Sequence, residues 1–133
     1  MTRLESNTIT IAKNAESVFD FFSDMQNIGR IMPEQVEEFV SEGDTCRFTI
    51  KGMASLGLQY AEKTAPTRVV MSDHGKSPFT LKLTCTITPA ENEQCSVQLT
   101  MDADLNPFLK MVAEKPLTNF LNILLDRFQT LGV

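Results

Sequence analysis

The chain has 133 residues and a mass of 14.9 kDa, which predicts one domain over residues 1–133 rather than two independent cores. Hydrophobic residues make up 42% of the chain and charged residues 22%, a balance that excludes a protein disordered throughout. The net charge of −5 and the pI near 4.8 argue against binding to nucleic acid or to an anionic membrane surface, because both kinds of binding require clustered positive charge.

The first part of the chain predicts a strand followed by two short helices. Residues 8–11 alternate polar with β-branched apolar side chains, which is typical of a strand. Asn14 predicts the N-cap of the first helix, and Ser23 or Asp24 that of the second, which Pro33 ends.

From residue 36 onward the apolar residues recur with a period of two, which predicts a series of strands. A weak strand over 36–42 precedes a turn at Gly43, and the two clearest strands come last, before residue 104. Their apolar side chains face one way and threonines and charged residues the other, a pattern that favours antiparallel pairing. The apolar members are Phe79, Leu81, Leu83, Cys85, Ile87, Cys95, Val97, Leu99, Met101 and Ala103.

The C-terminal part predicts one long helix. Asn106 offers an N-cap, Pro107 suits the first helical position, and Gly132 can end the helix after about Leu131. Its apolar arc covers roughly 200°, twice the usual stripe, so the helix requires partners on more than one side. Pro116 predicts a kink or a break, because its ring removes a backbone hydrogen bond. The central stripe consists of Leu117, Phe120, Leu121, Leu124, Phe128 and Leu131.

Four segments together resemble a known family: residues 8–11, residues 15–24, Met32-Pro33 and the terminal helix with its start at 106–117. Their order resembles the helix-grip fold of the START-related superfamily, whose bacterial members are called SRPBCC or polyketide cyclase/dehydrase-like proteins. The terminal helix looks like that of a small uncharacterised branch. The resemblance implies an α+β fold, with a curved antiparallel sheet of about seven strands around the C-terminal helix and two short helices after strand 1. It also implies a cavity for an apolar ligand between sheet and helix.

A large cavity must be filled. An empty apolar void of about 300 Å³ costs on the order of 7 kcal/mol at roughly 24 cal/mol per Å³. Total stability is typically only about 5–15 kcal/mol. Ligand, water against polar groups, or the protein's own side chains must therefore occupy the space, and a ligand cavity and a closed core both remain open.

The residues expected around a ligand come from the inner faces of the sheet and the long helix. None supplies a strong acid, base or nucleophile, so the available chemistry is apolar burial and one phenolic hydrogen bond. The phenol of Tyr60 either orients a ligand or reaches the sheet edge. The predicted ligand-binding residues are Phe48, Leu58, Tyr60, Leu83, Leu117, Phe120, Leu121 and Leu124.

The histidine, the cysteines and the acidic residues are expected to have structural or solvated roles rather than catalytic ones. The single histidine, His74, lies in a predicted loop and is expected to be solvated rather than catalytic. The three cysteines, Cys46, Cys85 and Cys95, have no metal-ligand or disulfide spacing and are expected to be reduced core residues. The acidic stretch over 34–44 predicts a solvated face, with recruitment of a basic partner as the alternative.

The sequence therefore predicts binding or transport of an apolar small molecule such as a lipid, polyketide or quinone-like compound. One alternative is a cyclase or dehydratase acting on a polyketide-like substrate, which needs a buried acid or base. Another is a protein-interaction module of the chaperone-activator type, with a closed core and an exposed apolar patch. No catalytic residue, metal or cofactor is assigned. We expect a cytoplasmic protein without nucleic-acid partners or stable membrane insertion, and no oligomeric state is predicted.

Overall fold

The computed structural model describes residues 1–131, which form eight strands and three helices. The strands are β1 (Thr2–Glu5), β2 (Ile9–Ile11), β3 (Val36–Glu42), β4 (Thr45–Ile50), β5 (Ala54–Thr64), β6 (Arg68–Asp73), β7 (Leu81–Pro89) and β8 (Cys95–Ala103). The helices are α1 (Ala15–Phe22), α2 (Met25–Arg30) and α3 (Pro107–Leu131).

The strands form one antiparallel sheet in the order β1-β8-β7-β6-β5-β4-β3, and β2 also pairs with β8. This is the expected α+β arrangement of a curved sheet and a long terminal helix, with eight strands in place of about seven. The additional strand, β1, has Leu4 as its single buried residue. Its pairing with β8 is reinforced by Arg3, whose Nε donates to Asp102 Oδ1 at 2.9 Å.

Local capping accounts for the starts of all three helices. The side chain of Asn14 accepts from the backbone N–H of Ser17 at 2.8 Å and starts α1. Asp24, rather than Ser23, caps α2 by accepting from the backbone of Gln26 at 2.9 Å. Asn106 accepts from the backbone of Leu109 at 2.8 Å, as expected for the start of α3.

The register of β7 and β8 agrees with the sequence pattern. Their alternating apolar side chains are all buried, while their partners on the other face are mostly exposed or half-buried. They pack with buried residues of α1 and α2 and with one side of α3 in a continuous core. The buried residues of α3 are Ala113, Leu117, Phe120, Leu121, Leu124, Leu125 and Phe128.

Two expectations for α3 were wrong, namely a break at Pro116 and a buried Leu131. The helix is unbroken from Pro107 to Leu131, so Pro116 does not interrupt it. Pro116 is exposed, so its ring is not part of the packed core. Leu131 is exposed instead of completing the central stripe, because the buried side ends with Phe128. The predicted C-terminal cap, Gly132, lies outside the described residues.

Candidate functional site

The space between the sheet and α3 is almost completely filled by side chains. The remaining inner void has a volume of about 10 Å³, roughly the space of one water-sized sphere. All of its lining residues are apolar, so the void offers no acid or base to a ligand. They are Phe22, Ile28, Ile31, Met32, Leu58, Met71, Leu83, Leu99, Phe120 and Leu124.

Stacked aromatic rings close the core on the side of β4. The ring of Phe120, on α3, stacks on Phe48 with centroids 5.9 Å apart and planes inclined by 20°. Phe39 also stacks with Phe48, with ring centroids 6.3 Å apart. These rings occupy the region where the sequence predicted a cavity, which gives the closed-core alternative its physical basis.

A larger space lies outside this aromatic stack. We name it the outer groove; it has a volume of about 320 Å³ and runs between α3 and the segments around β3 and the β4–β5 turn. Phe120 lines both the outer groove and the inner void, so its ring is the wall between them. The groove is lined by Pro33, Gln35, Ile50, Lys51, Gly52, Met53, Val112, Pro116, Asn119, Phe120 and Ile123.

A second depression adjoins the outer groove. This rim depression, of about 500 Å³, is lined by Pro33, Glu34, Gln35, Lys51, Ile123 and Arg127. Four of these residues, Pro33, Gln35, Lys51 and Ile123, also line the outer groove. The two spaces are therefore neighbours along one side of α3, with the cations Lys51 and Arg127 on their walls.

The predicted ligand-binding residues separate into three groups. Leu58, Leu83, Phe120 and Leu124 line the inner void together, as expected of residues that converge between sheet and helix. Leu117 and Leu121 are fully buried and line none of the spaces described above. Phe48 is also buried and reaches the site only through its stack on Phe120, and Tyr60 lines neither the groove nor the void.

The hydroxyl of Tyr60 already has a protein partner. It donates to the backbone carbonyl of Phe22, at the C-terminus of α1, at 2.6 Å. Burial, with smaller contributions from nearby groups such as Asp24, raises the pKa of this phenol well above its usual range. The Nζ of Lys63 lies 4.2 Å from the ring centroid. Tyr60 therefore ties the sheet to α1.

Sequence comparison places the chain in a family. The family described as polyketide cyclase/dehydrase and lipid transport matches residues 3–131. The chain belongs to this family. A search of the curated proteins found no significant match.

Several solved structures share the fold of this chain. XoxI from Bacillus cereus has a TM-score of 0.77 at 11% identity, covering 98% of this chain and 94% of its own. A norcoclaurine synthase point mutant from Thalictrum flavum, in complex with a transition-state analogue, has a TM-score of 0.77 at 12% identity, with 98% and 92% coverage. A START superfamily protein from Mycobacterium smegmatis has a TM-score of 0.70 at 12% identity, with 96% and 94% coverage. The helix-grip fold is thereby confirmed.

In this member of the polyketide cyclase/dehydrase and lipid transport family, sequence analysis missed most of the outer groove. Lys51, Gly52 and Met53 lie in a turn, and Val112 and Asn119 lie beside the predicted apolar stripe of α3. Gly52 has a positive φ of 75°, a conformation that glycine adopts without strain. Periodicity identifies faces that point inward, whereas this groove is built from residues at the margin of the core.

The remaining chemistry-bearing side chains do not converge on a site. The cysteines Cys46, Cys85 and Cys95 are buried and unpaired, and burial raises the pKa of each thiol. Among residues 1–131 no group of three metal-ligating side chains comes together. None of the three helices described combines the length and apolar character that crossing a bilayer requires.

Proposed function

We propose that this protein binds an apolar small molecule in the outer groove, with the ring of Phe120 as the inner wall of the site. The observation that carries the proposal is the contrast between the groove of about 320 Å³ and the inner void of about 10 Å³. Ligand pockets generally measure about 300–1,000 Å³, so the groove is large enough for a ligand and the void is not. Membership in a family described by lipid transport supports an apolar ligand.

A ligand that reaches further into the fold must displace Phe120 from its stack on Phe48. Behind that ring lie Leu58, Leu83 and Leu124, three of the residues predicted to surround a ligand. Such a ligand contacts the outer groove and, once the ring has moved, these three leucines as well. Each methylene that the ligand buries contributes about 0.8 kcal/mol before ordering costs.

Binding is favoured over catalysis by the chemistry of the inner void. A cyclase or dehydratase needs an acid or base facing the substrate, and every residue lining the void is apolar. The phenol of Tyr60 donates to the protein backbone. The described residues thus offer the inner void no group that could move a proton, and Lys51 is the single ionisable side chain among those that line the outer groove.

Binding of Nile red, an uncharged fluorescent dye, tests the proposal. We expect saturable binding at about 1–100 μM, the micromolar part of the affinity scale. Ile123→Trp fills the groove and should weaken binding at least about tenfold, which is about 1.4 kcal/mol. Met111→Trp is the matched control, because Met111 is exposed on α3 and does not line the groove. Equal effects of the two variants, or no binding to the wild type, would contradict the proposal.

A second candidate function is favoured by an exposed apolar stripe at the start of α3. Phe108, Met111 and Val112 are 65%, 75% and 47% exposed, and their spacings of three and four residues place them on one helix face. A filled core together with such a patch is what a protein-interaction module would show.

Self-association tests this second candidate, with another copy of the chain as the partner. If the stripe is a contact surface, sedimentation should show a dimer that the double variant Phe108→Ser, Met111→Ser dissociates. A wild type that sediments as a monomer over the micromolar range would contradict self-association through this face.

A further inference from the structure

The outer groove and the rim depression form one path along α3. Val112, Pro116, Phe120 and Ile123 line the groove at spacings of three and four residues, and Arg127 continues the row into the rim depression. The row spans about 22 Å of helix axis at 1.5 Å per residue. An elongated molecule can therefore lie along the helix and reach both spaces.

The two spaces differ in chemistry. The outer groove has an aromatic and aliphatic wall, including Met53, Phe120 and Ile123. The rim depression shares the ammonium-bearing Lys51 with the groove and adds the guanidinium-bearing Arg127. One end of the path thus suits an apolar body, and the other suits a group that accepts hydrogen bonds and carries negative charge.

Both cations have free hydrogen-bonding capacity. Among residues 1–131, neither Lys51 nor Arg127 has a carboxylate oxygen within 4 Å, and neither side chain donates a hydrogen bond to the protein. By contrast, Arg3, Lys63 and Arg68 each have an acidic partner. Three ammonium and five guanidinium donors at the rim therefore remain available to a ligand.

Backbone contacts hold the two cationic residues in place. The backbone N–H of Lys51 donates to the carbonyl of Gln35 at 2.8 Å, which holds the β4–β5 turn against the segment before β3. Arg127 follows Ile123 by one helical turn and precedes Phe128, which is fully buried. Lys51 and Arg127 thus start from fixed points on opposite walls.

Two carboxylates lie near the cations and limit the positive potential of the rim depression. Glu34 lines the rim depression but lies beyond 4 Å from both cations. Asp126 lies next to Arg127 in sequence, and both line a further depression that does not include Lys51, but Asp126 lies beyond 4 Å from the Arg127 guanidinium. Glu34 therefore reduces the positive potential of the rim without neutralising either donor.

We propose that the ligand is an amphiphile with an anionic head group, its apolar body in the outer groove and its head group against Lys51 and Arg127. This inference rests on the proposed function and narrows it to a class of ligand. A carboxylate fits the donors, because it accepts two hydrogen bonds from a guanidinium and a further one from an ammonium.

Two chemically matched ligands test this inference, namely dodecanoate and the uncharged dodecanol, each measured by displacement of Nile red. We expect the wild type to bind dodecanoate at least about tenfold more tightly than dodecanol at low salt, and less selectively at high salt. The double variant Lys51→Gln, Arg127→Gln should remove the preference, measured as the ratio of the two ligands' affinities within that variant. The single variant Arg127→Gln, at a residue that lines the rim depression but not the groove, should reduce the preference and leave the affinities for dodecanol and Nile red unchanged.

Lys115→Gln serves as the charge-matched control, because Lys115 is exposed on α3 and lines neither the groove nor the rim depression. It should keep the full preference for dodecanoate. Equal binding of the two ligands to the wild type, or a preference that survives in the double variant, would overturn the head-group inference while Nile red still binds. Absence of Nile red binding would instead overturn the proposed function, and the head-group inference with it.

Discussion

The two sides of the Phe120 ring differ in packing and in polarity. On the inner side ten apolar residues enclose about 10 Å³, and on the outer side a groove of about 320 Å³ opens beside a cation. The inner side contributes stability through close packing, whereas the outer side has space that a ligand can fill. A substitution on the inner side should therefore change the free energy of unfolding, and one on the outer side should change binding.

The largest effect is expected from Phe120→Ala, which removes the wall between the two sides. Losing this buried ring should lower the free energy of unfolding by about 3–5 kcal/mol. The same change joins the groove to the void, so the folded protein should bind Nile red more tightly. Urea unfolding with and without the dye measures both effects. A stable variant with unchanged dye affinity would show that Phe120 does not separate the two spaces.

A matched pair of tryptophan substitutions on α3 compares the two sides directly. Leu121 is fully buried, so Leu121→Trp should overpack the core and cost about 1–3 kcal/mol or more. Ile123 is half-buried at the groove, so Ile123→Trp should cost less than about 0.5 kcal/mol while weakening dye binding. Chemical denaturation of both variants checks this, and equal destabilisation would mean that the groove is as closely packed as the core.

Tyr60→Phe separates a structural phenol from a ligand-binding one. Loss of the hydrogen bond to the Phe22 carbonyl should lower the free energy of unfolding by about 1 kcal/mol. Dye affinity should not change, because Tyr60 lines neither the groove nor the void. A weakened dye affinity at unchanged stability would instead place the phenol at the ligand.

The stability of the protein at alkaline pH tests whether water reaches the buried thiol of Cys46. Burial raises the pKa of the Cys46 thiol to about 11, although a backbone hydrogen bond from Leu58 lowers it slightly. Above about pH 8.5 the unfolded chain releases this proton and the folded chain retains it, so stability falls as the pH rises towards 11. At pH 10 the loss relative to Cys46→Ala should be about 2 kcal/mol. Parallel pH profiles of the two proteins would mean that water reaches the thiol.

The fold was predictable where the pattern is long and local. The nine alternating apolar residues of β7 and β8 and the wide apolar arc of α3 each require a buried partner, which specifies a sheet against a helix. β1 could not be found in this way, because Leu4 is its single buried residue and its pairing partner, β8, lies far along the chain.

The site was predictable only in part. Sequence pattern shows that Leu58, Leu83, Phe120 and Leu124 face inward, and the structure brings these four together. Whether space remains between them depends on how the rings of Phe48 and Phe120 stack, which periodicity does not encode. The groove residues lie in turns and at margins, where neither a period of two nor one of 3.6 applies.

The pairing of β1 with β8 has a consequence for how the chain folds. Thr2 lies opposite Ala103, so the first strand of the chain pairs only after almost all of the sheet has been synthesised. During synthesis each strand from β3 to β7 can pair with the strand before it, whereas the backbone groups of β1 and β2 stay unpaired until β8 has been made. Such distant pairing slows folding, because the long loop must close before its contacts form. The N-terminal strands are therefore the segments of the nascent chain that remain longest without a partner.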